Sequence, residues 1–395
     1  MRILMAVPKY PFPVVGGLER QAHELGKALV QRGCTVHVMS TRFDPKQKNV
    51  EIVDGIQIHR IPWFSFKPLR FLLFPISLVR IMFKLRTKID LVHVHNISWF
   101  AAFIILVAKI FGLPVVAKLP NFGLFGIPGL RERRFGSFHV ALLKRSDAIV
   151  AMAPESLPEL RDIGYPAERI FKVTNGITLE SSAKSNRSST DVIVAIFVGR
   201  ISSEKGLPDL LRAWALVRAE TRRRITLRLV GEGPQLEELR GLVNELNLQD
   251  AVEFCGHCHD VPAELAKADL FTLPSYAEGN SNSILEAMRA GLPVVATRVG
   301  GAAIQVGVEG ERFLVAPGAP RPLADRLLEL IEDEAARLRL GSAMRCRIET
   351  VFAIDRIAAT YTQAYSLILA GRRTEIGQLN PTLFRSEKEE IECAG

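Results

Sequence analysis

Two cations and two carboxylates in the second half of the chain carry the spacing of a site for a phosphorylated, hydroxyl-rich ligand. Val198-Gly199-Arg200 closes an apolar run, and Glu204-Lys205-Gly206 follows before the next amphipathic stretch. Arg200 and Lys205, beside glycines at the carboxyl end of a strand, suit a diphosphate, whose developing charge needs fixed positive partners. Two solvated loop cations are the plainer alternative. Downstream, Glu278-Gly279-Asn280-Ser281-Asn282-Ser283-Ile284-Leu285-Glu286 joins an apolar strand over 270–273 to a helix. Gly279, Asn280, Ser281, Asn282 and Ser283 then form a polar loop opening onto a helix N-terminus, which favours phosphate. Glu286 falls about one turn inside that helix, and Glu278 stands ahead of the loop. Carboxylates accept paired sugar hydroxyls well, as the ribose-binding acid of nucleotide sites does. A cap or a surface charge is the other reading of each taken singly.

The first half offers a second glycine turn, Gly16-Gly17-Leu18-Glu19-Arg20, between a strand and a helix. Gly16 and Gly17 let backbone N–H groups approach a phosphate or sugar closely, or simply turn the chain. The turn is not the Gly-x-Gly-x-x-Gly dinucleotide fingerprint. Val92-His93-Val94-His95-Asn96 and Ala117-Lys118-Leu119-Pro120-Asn121 end two further strands. His95 faces a cleft or the core, and His93 reads as a buried, satisfied histidine. Cys255-Gly256-His257-Cys258-His259 has the look of a metal motif, but a zinc held by four ligands this close in sequence would be strained. We expect no metal.

These residues sit on a repeating framework. Apolar runs over 3–7, 35–40, 91–94, 115–118, 148–151 and 170–173 read as strands, with helices over 17–33 and 99–111. The pattern restarts with strands over 192–198, 227–230, 251–255, 270–273, 294–296 and 313–315. Helices over 207–217, 235–246, 262–266, 282–290 and 322–331 separate them. Alternation of this kind is the signature of parallel βαβ units. It implies an α/β chain of two facing, doubly wound, Rossmann-like domains, with ligands in the cleft at the strands' carboxyl ends. The expected domains are 1–178, completed by a helix near 355–370, and 192–354. A Ser-rich linker joins them over 179–191, and a loose tail covers 371–395.

Composition narrows the class. In 395 residues, 48% are hydrophobic and 24% charged, as in globular proteins. Five scattered cysteines suit a reducing cytoplasm, and Met1–Val7 runs into Pro8 without the pattern of a signal peptide. The net charge of +9 is uneven: residues 1–180 hold 25 Lys and Arg against 13 Asp and Glu, the remainder 26 against 29. The first half therefore suits an anionic partner. Between Asp54 and Asp90 there is no acidic residue, while Arg60, Lys67, Arg70, Arg80, Lys84, Arg86 and Lys88 lie among Trp63, Phe64, Phe66, Phe71 and aliphatics. Rings packed among aliphatics do not suit a nucleic-acid groove. They suit an interfacial segment on an anionic leaflet, or a core helix with a solvated basic face. No run reaches the length of a membrane span.

Taken in order, the motifs resemble the GT-B retaining glycosyltransferases of family 4 (group 1). The residues are Gly16-Gly17-Leu18-Glu19-Arg20, Ser146-Asp147-Ala148-Ile149-Val150-Ala151, Asn175-Gly176-Ile177, Phe197-Val198-Gly199-Arg200 with Lys205-Gly206, Leu229-Val230-Gly231-Glu232-Gly233, Glu278 with Glu286, and Gly291-Leu292-Pro293-Val294-Val295-Ala296-Thr297. The likeness spans about residues 1–370 and is tighter in the second half. It implies that Arg200 and Lys205 hold the diphosphate of a nucleotide-sugar donor, a UDP-sugar in our reading, and act with Glu278 in catalysis. Glu278 would bind hydroxyls of the transferred sugar and Glu286 the ribose. Gly199 and the 279–283 loop would contact the donor, with Gly16 and Gly17 closing over it from the other domain. His95, Lys118 and Asn121 would meet the acceptor, although Pro120 stands where family members often carry a histidine. The resemblance implies no cofactor and no metal. A lipid-linked or saccharide acceptor at the inner face of a membrane follows from the basic first half, in surface polysaccharide or glycolipid synthesis. A GT-B epimerase or phosphorylase, or an inactive sugar-nucleotide-binding scaffold, is the competing assignment.

Overall fold

The computed structural model describes residues 1–10, 16–44, 46–62, 67–179, 192–258 and 260–380, with the backbone alone over 67–72. The chain forms two compact units. Of the described residues, the first takes in Met1–Thr178 and those from Ile354, and the second those between, to Ala353.

Unit 1 opens with β1 (Arg2–Ala6), α1 (Gly17–Gln31), β2 (Thr35–Thr41), β3 (Val50–Val53), β4 (Ile56–Ile61) and α2 (Lys67–Leu85). It continues with β5 (Leu91–Val94), α3 (Trp99–Ile110), β6 (Val115–Leu119), α4 (Ile127–Arg131), α5 (Gly136–Leu143), β7 (Ala148–Ala151), α6 (Ser156–Asp162) and β8 (Ile170–Lys172). The strands lie in the order β3-β4-β2-β1-β5-β6-β7-β8, parallel except for β3 against β4. Both faces of the central strands are covered, so β1, β5, β6 and β7 are buried almost throughout instead of alternating. Along β1, Leu4 and Ala6 join one cluster with Phe74, Leu78 and Met82 of α2 and Ile104 of α3. Ile3 and Met5 join the other, with Leu25 and Leu29 of α1.

Unit 2 is built from β9 (Val192–Val198), α7 (Leu207–Glu220), β10 (Arg224–Val230), α8 (Leu236–Glu245), β11 (Val252–Gly256), α9 (Val261–Leu265), β12 (Leu270–Leu273), α10 (Asn282–Arg289), β13 (Val294–Thr297), α11 (Ala302–Glu311), β14 (Leu314–Val315), α12 (Pro320–Glu332) and α13 (Glu334–Arg347). Its six strands are all parallel, in the order β11-β10-β9-β12-β13-β14. The chain then returns to unit 1 as α14 (Ile354–Leu369), whose Ile357, Tyr361, Tyr365 and Ile368 complete the core beside α1.

Two sequence expectations change. The basic, aromatic stretch after Asp54 is not a free interfacial segment. Its start is β4, paired with β2, and α2 buries Phe74, Leu78, Met82 and Leu85 on the sheet. Arg60 is only 2% exposed and is held by Glu51 and the Lys48 carbonyl, so it is a core cation that faces no leaflet. Trp63, Phe64 and Phe66 lie outside the described residues. The outer face of α2 does expose Ile76, Val79 and Phe83 beside Arg80 and Lys84.

The tail is not loose at its start. Arg373–Gln378 forms a 3₁₀ turn that buries Ile376 completely, and the Asn380 amide donates to the Lys172 carbonyl at 3.1 Å. Ile376, with Leu379 partly buried against the same cluster, docks this segment, too little to show as a period in the sequence. Residues 180–191 of the Ser-rich linker, and 381–395, lie outside the described residues.

Candidate functional site

The carboxyl end of β9 leads into Gly199 and an exposed Arg200. Ser203–Lys205 then makes one 3₁₀ turn, and Gly206, at φ 63°, starts α7. A side chain at Gly206 would overlap the Pro274 carbonyl oxygen, so glycine is required both by the backbone angle and by the approach of the loop after β12. That approach places Lys205 against Glu278. The Lys205 ammonium donates to Glu278 Oε1 at 2.5 Å, and the Ser275 hydroxyl donates to the same oxygen at 2.8 Å. The two side chains are 19% and 13% exposed, buried enough to escape most solvent screening. Burial alone would raise the neighbouring Glu204 carboxyl. The Ser202 hydroxyl, the backbone, Lys205 and Arg200 outweigh it and leave Glu204 below its usual range.

The loop from Gly279 to Ser283 is fixed from three sides. Ser281 caps α10 by accepting from the Ile284 N–H at 3.5 Å, and its hydroxyl meets that of Ser283 at 3.1 Å. The buried Gln305 amide accepts from the Ser281 N–H at 3.2 Å and donates to its carbonyl at 2.7 Å. Gly301 N–H donates to the Gly279 carbonyl at 2.7 Å. Gly300 has φ 55°, and a β-carbon there would overlap the Glu278 carbonyl oxygen. The loop is thus a rigid N-terminus for α10, with Glu286 only 7% exposed one turn inside it. Asn280 and Asn282 lie on the same loop. Fixed N–H groups, an exposed arginine and a lysine–carboxylate pair within one loop cluster can hold a phosphorylated sugar.

Unit 1 gathers a second set. The Gly16–Gly17 turn begins α1, with the Arg20 N–H donating to the Gly16 carbonyl at 3.2 Å. At the ends of β5 and β6, His93, His95 and Lys118 are buried together, and the Lys118 ammonium donates to Asn175 Oδ1 at 3.1 Å. The His93 and His95 rings lie 4.1 Å apart. Asn121 is half-buried in the loop beyond. His93 is satisfied on one side only: Nδ1 pairs with the Tyr365 hydroxyl at 2.7 Å, whereas Nε2 has no partner among the described residues.

Residues 15–181 match the family model described as Glycosyltransferase Family 4, and residues 193–333 match that of Glycosyl transferases group 1. The chain belongs to the group 1 glycosyltransferases. The glycosyltransferase is 27% identical over 376 residues to N-acetyl-alpha-D-glucosaminyl L-malate synthase of Bacillus anthracis, covering 91% of this chain and 96% of that one. It is 28% identical over 247 residues to the lipopolysaccharide core biosynthesis glycosyltransferase LpsD of Rhizobium meliloti, covering 61% and 71%. Among solved structures it resembles Anabaena Alr3699/HepE in complex with UDP-glucose, at a TM-score of 0.74 and 22% identity, covering 93% and 99%. That likeness establishes the GT-B fold of this glycosyltransferase.

Sequence reasoning missed Ser275, Gly300, Gly301 and Gln305, which shape the loop from a distance in the chain. The Val299-Gly300-Gly301 step after a strand was the one signal available. At the cysteine motif, Cys255, His257 and Cys258 line an open depression with Arg228, Glu253 and Glu264. No three metal-binding side chains come together there among the described residues, and His259 lies outside them.

Proposed function

We propose that this glycosyltransferase moves a sugar from a UDP-sugar to a lipid-linked or saccharide acceptor with retention of configuration, using neither cofactor nor metal. The observation that carries the reading is the Lys205–Glu278 pair beside the rigid N-terminus of α10. In this reading Arg200 and Lys205 neutralise the departing diphosphate, and the 279–283 backbone N–H groups bind phosphate and sugar. Glu286 takes the ribose hydroxyls and Glu278 those of the sugar. A double displacement would need a carboxylate free to attack the sugar, and Glu278 is engaged by both Lys205 and Ser275. This favours transfer on one face: the bond from the anomeric carbon to the diphosphate breaks, the acceptor oxygen bonds to that carbon, and its proton passes to the diphosphate. The Anabaena relative, captured with UDP-glucose, supports the choice of nucleotide.

For the acceptor, the reading is an anionic membrane surface on the cytoplasmic side, in surface polysaccharide or glycolipid synthesis. No helix among the described residues is long and apolar enough to cross a membrane. Support comes from the surface of unit 1, where Leu124, Phe125, Phe135 and Phe138 are each more than half exposed. Arg131, Arg133 and Arg134 are exposed among them. Phe135 adopts φ 63°, an uncommon angle for a bulky residue that presents its ring to solvent. Exposed rings among arginines suit an anionic interface. A panel of UDP- and GDP-sugars, read as donor hydrolysis and thermal shift, tests the donor reading. A protein that binds and turns over no nucleotide-sugar sinks it.

A further inference from the structure

The carboxyl ends of β5 and β6 hold a buried group of nitrogen-bearing side chains that the proposed donor chemistry does not use. Lys118 is 6% exposed, His95 1% and His93 fully buried, and the His93 ring lies against Tyr361 and Tyr365 of α14. Both ring nitrogens of His95, the Nε2 of His93 and the Tyr361 hydroxyl lack a partner among the described residues. Lys118 makes no ion pair among those residues, and its ammonium donates to Asn175, a neutral amide. Burial pulls the lysine ammonium down to about 8 with no carboxylate pulling it back. Burial, and then Lys118, hold His93 well below its ordinary range, and burial, then His93 and Lys118, do the same for His95. A buried cation without a counter-ion is costly, as are polar atoms left unpaired. An anion with several acceptor oxygens would pair the ammonium and the donor N–H and O–H groups, and so lower both costs.

The position is where a ligand belongs. The chain runs from β1 outward to β2 and β4, then returns to β5 and proceeds the other way through β6, β7 and β8. The strand order reverses between β1 and β5, and in open parallel sheets the crevice at that reversal is the ligand site. His95 lies on its rim, its N–H donating to the Ala6 carbonyl at 3.0 Å. The Gly16–Gly17 turn leaves the same end of β1.

We propose that Lys118, with His95 and Tyr361, binds an anionic group of the acceptor, a phosphate monoester or a carboxylate. This rests on the glycosyl-transfer reading above and adds to it the chemical class of the acceptor. Lys118 supplies the charge, while neutral His95 and the Tyr361 hydroxyl donate the hydrogen bonds that fix the group's orientation. The uncharged sugar hydroxyls of the acceptor then lie outside this pocket.

The test uses the full chain saturated with UDP, so that added anion is not drawn to the diphosphate site. Inorganic phosphate, glucose 6-phosphate, succinate and neutral glucose are each titrated by calorimetry into the wild type, Lys118→Met and Lys118→Arg. One charge-assisted contact is worth about 1.5–3 kcal/mol, so Lys118→Met should weaken phosphate and glucose 6-phosphate roughly 10- to 100-fold. Lys118→Arg should recover part of that. Glucose should not bind the pocket. Histidine ring resonances of the wild type alone, followed by NMR during the phosphate titration, give a reading that needs no variant to fold. His93 and His95 should move together. Equal affinity in wild type and Lys118→Met, or unmoved histidines, overturns the proposal. So does binding of inorganic phosphate alone, without glucose 6-phosphate or succinate, since that marks a free-anion site. Failure of the wild type to bind UDP instead removes the donor reading, and the phosphate titrations are then judged without UDP on the same comparison.

Discussion

Lys205 and Glu278, assigned by their motifs to opposite ends of the donor, share a hydrogen bond of 2.5 Å across 73 positions of sequence. In the proposed reading, a cation for the diphosphate is therefore positioned by the carboxylate that serves the sugar. Loss of either partner misplaces the other as well as removing itself.

Removing one such charge should cost turnover roughly 10²–10³-fold, the usual loss for a single stabilising donor. Arg200→Ala and Lys205→Ala should each do so. Because of the pairing, Lys205→Ala combined with Glu278→Gln should cost much less than the product of the single losses. Steady-state kinetics on the four proteins check this, and full multiplicativity contradicts the coupling.

Gln305→Leu leaves the Ser281 N–H and carbonyl without their buried partner, at about 1–3 kcal/mol each way. Gly300→Ala adds a side chain where backbone already lies. Both should raise the KM for donor and lower the melting temperature. A donor KM unchanged in both variants would detach the Gly300–Gln305 segment from the site.

Activity should survive EDTA. Arg200, Lys205 and the α10 N-terminus carry the diphosphate charge in our reading. Strict dependence on Mg²⁺ or Mn²⁺, restored by metal alone, would contradict it.

Lys118 makes stability depend on pH in a set direction. Its folded value is about 8, against roughly 10.4 in an unfolded chain. Between these the unfolded state binds more protons, so stability rises with pH. The burial penalty is in full force below pH 8 and gone above about 10.4. Urea unfolding near pH 7.5 and near pH 10 should therefore show a wild-type gain on the order of 2 kcal/mol greater than in Lys118→Met, at about 1.4 kcal/mol per unit. Parallel profiles would mean that the ammonium is not buried in solution.

Arg131, Arg133 and Arg134 changed together to Ser should reduce flotation with anionic vesicles. About 1 kcal/mol for each cation near the surface makes this roughly a hundredfold, with little change on neutral vesicles. Equal flotation of variant and wild type would leave the exposed rings without a membrane role.

How much of this was legible depended on distance along the chain. Strands over 91–94, 148–151, 192–198 and 270–273 announce themselves because both faces of the sheets are buried, and continuous apolar runs need no partner to be recognised. The 278–286 loop is equally local, since its cap and carboxylates lie within a few residues. Gln305 is not legible, because its task is done on Ser281, 24 positions away. Nor is the pairing of Lys118 with Asn175 across 57. The stretch from Ile56 to Leu85 misled because Arg60 looks like a surface cation until Glu51 is placed beside it.

The return of the chain as α14 separates the order of synthesis from the order of folding. Leu25, Leu29 and the β1 face beside them wait for Ile357, Tyr361 and Tyr365, made some 180 residues after Thr178. The stretch of unit 2 from Val192 to Ala353 is one run of sequence and can close on the ribosome before α14 covers its part of the first sheet. The first domain begun is the last completed, and a chain released before Ile354 would leave the apolar floor beneath His93 exposed.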